Sequence, residues 1–212
     1  MSIELNVQGL ARDFFEPTDL TASVLTPQLK ARAGGFLVLA HAEIESGIEE
    51  ACYQTSGLIG NYDVPLIAML AWGVFQGKSK TRLAMGESNL KQITKKYDKS
   101  VVSNNGIKKK DMCELLVPLG VAVTLLSTDL LVLEDFGQKR GDLAHKGLSV
   151  WNTKDLPSAH VSRAIQAARS ADAVVVAIRS KHSSINAVAP AGRVRRSIAR
   201  ACRRAAELVE GI

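Results

Sequence analysis

Helical periodicity is the feature that most restricts the fold of this chain. Apolar side chains recur every three or four residues over a long segment, namely at Leu37, Ala40, Ile44, Ile48, Ala51 and Cys52. This spacing puts one apolar stripe on a helix that faces a core. Alternating patterns typical of strands are scarce in the rest of the chain. The sequence therefore predicts an all-α fold.

Further helical segments are separated by glycine, proline and asparagine signals. Residues 64–76 are apolar nearly all round, which is expected of a central helix. Other helices are predicted over about residues 87–97, 107–118, 121–136 and 158–179. The β-branched run at 173–180 is compatible with a buried strand, but because no partner strand is evident we interpret it as the end of the last helix.

The residues after Pro190 predict an amphipathic basic helix over about 190–210. Apolar residues recur along it, and its other faces carry arginines at positions 193, 195, 196, 200, 203 and 204. Such a helix either docks on the body of the protein or contacts nucleic acid. No repeat or domain boundary is visible, so we expect a single domain over residues 1–212 with a core at about 30–180.

Composition indicates an ordinary globular protein, since 46% of the 212 residues are hydrophobic. The cysteines, Cys52, Cys113 and Cys202, have no ligand-like spacing, which favours a reducing cytoplasm and argues against structural zinc. The N-terminus does not resemble a secretion signal, and the apolar run at 115–128 is shorter than the roughly 20 residues that a membrane span needs. We expect a cytoplasmic protein without a metal, cofactor or membrane anchor.

Positive charge is concentrated in two segments. Residues 78–110 hold ten lysines and arginines against two acids, and residues 181–212 hold seven against two. Lysines and arginines that displace counterions provide much of the affinity for nucleic acid, although a solvated loop and helix face would show the same pattern. The RNA-binding candidates of the first segment are Lys91, Lys95, Lys96, Lys108, Lys109 and Lys110.

One short motif contains residue types that are common in catalytic sites. It reads QKRGDLAHKG at residues 138–147, and in it Arg140 precedes His145 by five positions. The preceding helix is expected to end near residues 136–137, which would put the pair at a helix junction. On an unbroken helix, residues five apart point about 140 degrees away from each other. A shared site therefore needs the reach of the arginine, a break at Gly141, or a second subunit. Asp142 either holds the imidazole or caps a helix that starts here.

This motif resembles that of the HEPN domains, all-helical proteins in which four to six residues separate an arginine from a histidine. Arg140-Gly-Asp-Leu-Ala-His145-Lys-Gly is most similar to the RiboL-PSP-HEPN subgroup, whose motif reads Arg-Asn-x-apolar-Ala-His followed by glycine. His41-Ala-Glu-Ile-Glu45 matches an upstream His-Ala-x-x-Glu pattern of the same subgroup. Gly141 stands in place of the asparagine, and Lys146 precedes the glycine. The resemblance covers about residues 30–180.

The resemblance implies a HEPN-like helical bundle that cleaves RNA without a metal, as a homodimer with two facing motifs. Arg140 and His145 would be catalytic, because histidine can transfer protons and arginine can stabilise a phosphorane-like transition state. Asp142, Glu45 and Lys146 would support them. The products would carry a 2′,3′-cyclic phosphate and a 5′-hydroxyl. Family members commonly act as toxins or antiviral effectors, so an inhibitory partner, an antitoxin, is also expected.

Other interpretations remain open at this point. A non-catalytic HEPN module would bind RNA or a protein and use Arg140 and His145 only to bridge helices. A basic helical protein outside the family would bind nucleic acid through its C-terminal arginines. His41, Glu45 and Glu49 share one helix face, which either supports the motif or is solvated. The acids of this segment lack the spacing of known metal motifs, so no metal site is predicted.

Overall fold

The computed structural model describes residues 2–58, 87–150 and 154–183, with the backbone alone at 87–90, 144–150 and 181–183. Every regular element in these residues is helical, which confirms the predicted all-α class. The helices predicted at 64–76 and 190–210 lie outside the described residues. The α-helices within them are α1 (Ile3–Phe14), α2 (Pro17–Leu20), α3 (Pro27–Ser56), α4 (Glu87–Val102), α5 (Lys109–Leu116), α6 (Ser127–Val150) and α7 (Pro157–Ser183).

Residue contacts group the chain into two compact units. The first unit comprises Met1–Ile48, Asn105–Met112 and Leu126–Val175. The second unit comprises Glu49–Asn104, Cys113–Leu125 and Val176–Ile212. The expectation of one domain over residues 1–212 stays a prediction.

In the first unit, α1 is fixed at its N-terminus by a carboxylate from α7. Asp172 accepts hydrogen bonds from Ser2 Oγ at 2.6 Å, from Ile3 N at 2.9 Å and from Glu4 N at 3.1 Å. These backbone N–H groups have no partner within their own helix, and a negative charge at this end is favourable. Gly47 of α3 completes the contact, because a Cβ atom there would lie 2.6 Å from Ile3 Cδ1.

In the second unit, α4 packs through one apolar face. Ile93, Tyr97 and Val101 are buried at intervals of four residues, and the Tyr97 hydroxyl donates to the Leu115 carbonyl at 2.8 Å. Asp98 accepts a hydrogen bond from Ser56 Oγ at 2.5 Å. The α5 helix ends in a 3-10 turn, Val117–Leu119, that is stopped by Gly120 with a φ of 73°. Only glycine adopts this left-handed backbone at no steric cost.

The course of α6 corrects the sequence prediction. The helix begins at Ser127, after a 3-10 turn over Val123–Leu126, and it continues through the motif to Val150. The predicted helix end near residues 136–137, and with it the helix junction, is wrong. Glycine in a helix costs about 1 kcal/mol relative to alanine, but packing can override that preference. Gly137 is buried, and a Cβ atom there would lie 3.1 Å from Ile107 Cγ1, so the small residue permits close packing.

The last described helix settles the ambiguity at residues 173–180. These residues lie inside α7, so their interpretation as helix is confirmed and the strand alternative is wrong. The helix begins at Pro157, where the fixed φ of proline suits a first turn. Small residues with no exposed surface, such as Ala164, Ala167, Ala168 and Ala171, form its buried face.

Candidate functional site

Arg140 occupies the buried face of α6. Leu133, Phe136, Gly137 and Leu143 are all buried, and Arg140 lies four residues after Phe136 and three before Leu143. Residues at these spacings share one helix face. Arg140 is itself partly buried. The motif arginine is therefore a charged residue within an otherwise apolar stripe of the first unit.

The guanidinium of Arg140 has no partner in the described part of the chain. Its Nε atom is buried without a hydrogen bond, and no ion pair to its terminal nitrogens occurs among the described residues. Other arginines of this unit are paired among the described residues, Arg32 with Asp19 at 2.8 Å, Arg163 with Asp155, and Arg169 with Glu4 at 2.9 Å. A buried donor without a partner costs about 1–3 kcal/mol. Such a cost is typical of a residue kept for binding or catalysis.

His41 of α3 lies against the same part of α6. Its side chain is buried, and its ring stacks on that of Phe136 with centroids 6.3 Å apart and planes 21° apart. Nε2 lies 3.8 Å from the position of a Cβ atom built on Gly137. On the other side of the ring, Nδ1 lies 3.6 Å from Glu45 Oε2. The imidazole thus extends from Glu45 to the backbone of α6.

The electrostatics of this cluster keep His41 neutral. Burial, and then the positive charge of Arg140, lower the pKa of His41 from 6.5 to about 4. Near pH 7 the ring therefore carries a single proton and no net charge. Arg140 lies one helical turn after Phe136, on which the ring stacks. Among the described residues, the site thus combines a permanent cation, Arg140, with a neutral imidazole.

Of the two interpretations left open for the α3 stripe, the solvated face is wrong at His41, which is buried. His41 is only 2% exposed, and Glu45 is partly buried. The signal was present in the sequence, because the residues four before and three after His41 are the core residues Leu37 and Ile44. A polar residue with apolar neighbours at both spacings points into the core, not into solvent.

The second motif residue belongs to a different face of α6. Position 145 is helical, and its side chain and that of Lys146 lie outside the described residues. The helical register places position 145 on the face of Gln138 and Asp142, both of which are exposed. The predicted break at Gly141 is wrong, because this residue lies within α6. The reach of the arginine and a second subunit remain as routes to a shared site.

The helix-cap role considered for Asp142 is also wrong, since the residue lies well inside α6. Its exposed side chain stands three residues before position 145, a spacing that keeps the alternative role of holding the imidazole as a prediction.

The predicted RNA-binding lysines divide between the two units. Lys91, Lys95 and Lys96 are exposed on α4 of the second unit, opposite its buried face. The other three, Lys108, Lys109 and Lys110, are exposed in the first unit, around the start of α5. All six are solvent-accessible cations, as binding to a phosphate backbone requires.

Within residues 2–58, 87–150 and 154–183, no group of three or more histidine, cysteine or acidic side chains is arranged as metal ligands. No helix in this part of the chain is long and apolar enough to cross a membrane. Comparison with known proteins finds no matching family model, no matching curated protein and no matching solved structure. The HEPN resemblance therefore stays a prediction that depends on the residues of its two motifs.

Proposed function

We propose that this chain is an endoribonuclease of the HEPN type that uses Arg140 and His145 and needs no metal. The buried Nε of Arg140, which has no hydrogen-bond partner among the described residues, carries the proposal. Arg140 is a permanent cation, and it lies beside a neutral histidine in an otherwise apolar face. An arginine left in this state has donors available for an anion, and the phosphodiester of RNA is an anion that arginine binds with two donors at once.

The chemistry requires proton-transfer groups and one cation. One His145 takes the proton of the ribose 2′-hydroxyl, and the protonated His145 of the second copy gives a proton to the leaving 5′-oxygen. The 2′-oxygen forms a bond to phosphorus while the bond to the 5′-oxygen breaks. Arg140 stabilises the additional negative charge of the transition state. The products are a 2′,3′-cyclic phosphate and a 5′-hydroxyl, and DNA is not cleaved because it lacks the 2′-hydroxyl.

A homodimer explains how the two motif residues serve one phosphate. Arg140 and position 145 occupy different faces of α6, so a second copy is the simplest source of a histidine that faces Arg140. Asp142, Glu45 and Lys146 support the pair. We further propose that the protein acts in the cytoplasm as a toxin or antiviral effector, restrained by an inhibitory partner, since an unrestrained ribonuclease harms its host.

The test is cleavage of labelled RNA by the purified protein in the presence of EDTA. We expect the wild type to cleave, and His145→Ala and Arg140→Ala to lose activity by about 100-fold or more. Arg12→Ala is the matched control, because Arg12 is an exposed arginine of the first unit remote in sequence from the motif. Intact RNA with the wild type, or undiminished cleavage by His145→Ala, would contradict the proposal.

The exposed lysines of α4 favour a second candidate, a module that binds RNA without cutting it. The same RNA distinguishes the two functions. A binding module retains salt-sensitive RNA affinity while the RNA stays intact, and its affinity does not depend on His145.

A further inference from the structure

Two hydrogen bonds in the second unit fix the relative direction of the end of α3 and the end of α4. Ser56 donates to Asp98 at 2.5 Å, and Asn104, just after α4, donates to Glu49 Oε1 at 2.8 Å. Residue numbers rise along one helix as they fall along the other, so the two helices are antiparallel here. Tyr53 lies between Glu49 and Ser56 and is therefore level with the last turn of α4.

Tyr53 lies on the solvent side of this line of contacts. It is four residues after Glu49 and three before Ser56, so it borders both contact residues on the helix surface, yet 53% of its own surface is exposed. On α4, Lys95 and Val102 stand three residues before and four residues after the contact residue, and both are exposed. The tyrosine and these two side chains therefore lie on the same outer surface of the helix pair.

A row of lysines runs along this outer surface. Lys91, Lys95 and Lys99 stand at intervals of four residues, all three are exposed, and no ion pair to any of them occurs among the described residues. Like charges at this spacing destabilise a helix, and a bound polyanion relieves the repulsion. An exposed acid of α3, Glu50, accepts a hydrogen bond from Gln54 at 2.6 Å and lies about 100 degrees round the helix from the contact residue before it.

We propose that this outer surface of α3 and α4 binds single-stranded RNA, with a base stacked on the Tyr53 ring and phosphates bound by Lys91, Lys95 and Lys99. Lysines four residues apart lie about 6 Å apart along a helix, and their long side chains can bind successive phosphates of one strand. An exposed ring beside a row of cations is the combination that binds single strands with little regard to sequence. The inference deepens the proposed function by naming the substrate class, and it rests on that function for the identity of the nucleic acid as RNA.

The ring selects single-stranded RNA over the duplex. In a duplex the bases are paired and stacked on one another, so their faces are closed to a protein ring. The phosphates stay accessible in both forms, so the lysines alone would bind either of them. Tyr53 is thus the residue whose contribution to affinity depends on whether the RNA is paired.

The experiment measures the affinity of the full chain for a short labelled RNA oligonucleotide, single-stranded or paired with its complement, by fluorescence anisotropy. Its riboses carry 2′-O-methyl groups, so the proposed reaction does not cut it. Tyr53→Leu removes the ring from an exposed helical position, and Tyr53→Phe is the matched control that keeps a ring. Lys99→Gln removes one charge of the row, and its control is Lys154→Gln, at an exposed lysine of the first unit.

We expect Tyr53→Leu to weaken single-strand binding by about tenfold, without altering the slope of log affinity against log salt. Its affinity for the duplex should change by less than about twofold, and Tyr53→Phe should match the wild type within about the same limit. Lys99→Gln should lower the salt slope for the single strand by about 0.7, and Lys154→Gln should leave it unchanged.

Three results would overturn the role of the tyrosine, namely an equal loss for duplex and single strand, an equal loss in Tyr53→Phe, or no loss in Tyr53→Leu. An unchanged salt slope in Lys99→Gln would overturn the role of the lysine row. If Tyr53→Leu does not fold, the NMR signals of the Tyr53 ring in the wild type decide. An upfield shift on addition of the single strand supports stacking, and unchanged signals overturn it.

The inference and the proposed function fail separately in this experiment, because binding of the 2′-O-methyl oligonucleotide does not require cleavage. If the wild type binds it through Tyr53 but cleaves no RNA, only the proposed reaction is contradicted. If the wild type cleaves RNA but Tyr53→Leu binds the single strand as the wild type does, only the inference is contradicted.

Discussion

Replacement of Arg140 by methionine should make the protein more stable. Arg140 lies in the apolar stripe of α6, where its neighbours Phe136 and Leu143 are buried, and its Nε atom is buried with no hydrogen-bond partner in the described part of the chain. Methionine retains the aliphatic stem that packs in this stripe and removes the charge and its donors. An apolar residue at this position would make the folded protein more stable, so the presence of an arginine indicates that it serves a function.

The size of the effect follows from the unsatisfied donor. A buried polar group without a hydrogen bond destabilises the folded state by about 1–3 kcal/mol. Because methionine preserves most of the packing, we expect the free energy of unfolding to rise by about 1–3 kcal/mol. For a chain of this length, each kcal/mol changes the Tm by about 2–4 °C, so the Tm should rise by about 2–12 °C. The pKa of His41 should rise as well, because one cause of its depression is removed.

The assay is urea denaturation followed by circular dichroism, with an NMR titration of His41. The matched control is Arg163→Met, which removes an arginine of the same unit that is paired with Asp155. This control should leave stability unchanged or lower it. If Arg140→Met destabilises the protein by more than about 1 kcal/mol, Arg140 makes a stabilising contact, and the argument from its unpaired state is refuted.

The remaining predictions concern pH, the α1 cap and the lysines. The pKa of His41 is about 4 in the folded chain against an ordinary 6.5, so the unfolded chain binds more protons between these two pH values. The free energy of unfolding should therefore fall as the pH drops from 6.5 to 4. Urea denaturation should show a shallower decrease for His41→Gln. Asp172→Ala removes the acceptor of three hydrogen bonds and should lower the free energy of unfolding by about 2 kcal/mol, against less than about 0.5 kcal/mol for exposed Asp135→Ala. Changing the exposed α4 lysines Lys91, Lys95 and Lys96 to glutamine should weaken RNA binding. The slope of log affinity against log salt should fall by about 0.7 per lysine. The control variant loses the same charge at exposed Arg12, Lys154 and Arg179, and neither quantity should change in it.

The helices with a clear apolar period were predictable from the sequence. The stripe from Leu37 to Cys52 lies within α3, and the predicted helix at 158–179 lies within α7. The break between the helices predicted at 107–118 and 121–136 was also recognisable from its proline and glycine, and Gly120 has the left-handed backbone that glycine adopts at no steric cost. In these places the local helical preference and the tertiary packing favour the same structure, so the pattern of apolar residues in the sequence is sufficient to predict the helix.

The path of α6 and the burial of His41 were not predicted, because both depend on contacts between distant residues. Gly137 was interpreted as a helix end, whereas its missing side chain admits Ile107 and His41 against α6. The sequence left open whether the stripe of His41 supports the motif or is solvated, and the stacking of its ring on Phe136, from a helix far along the chain, excludes solvation at His41. Arg140 was chosen as a candidate from its motif alone, and its position within the buried stripe became clear only once α6 was seen to be unbroken.

The central claim, that RNA is cleaved through its own 2′-hydroxyl, is tested most directly with a pair of labelled oligonucleotides. One is all RNA, and the other carries a single 2′-deoxy nucleotide on the 5′ side of the cleaved bond. In EDTA, the account predicts that the first is cut to a 2′,3′-cyclic phosphate and a 5′-hydroxyl, and that the second stays intact at that bond. Cleavage at the 2′-deoxy position, or products with a 5′-phosphate, would contradict the account.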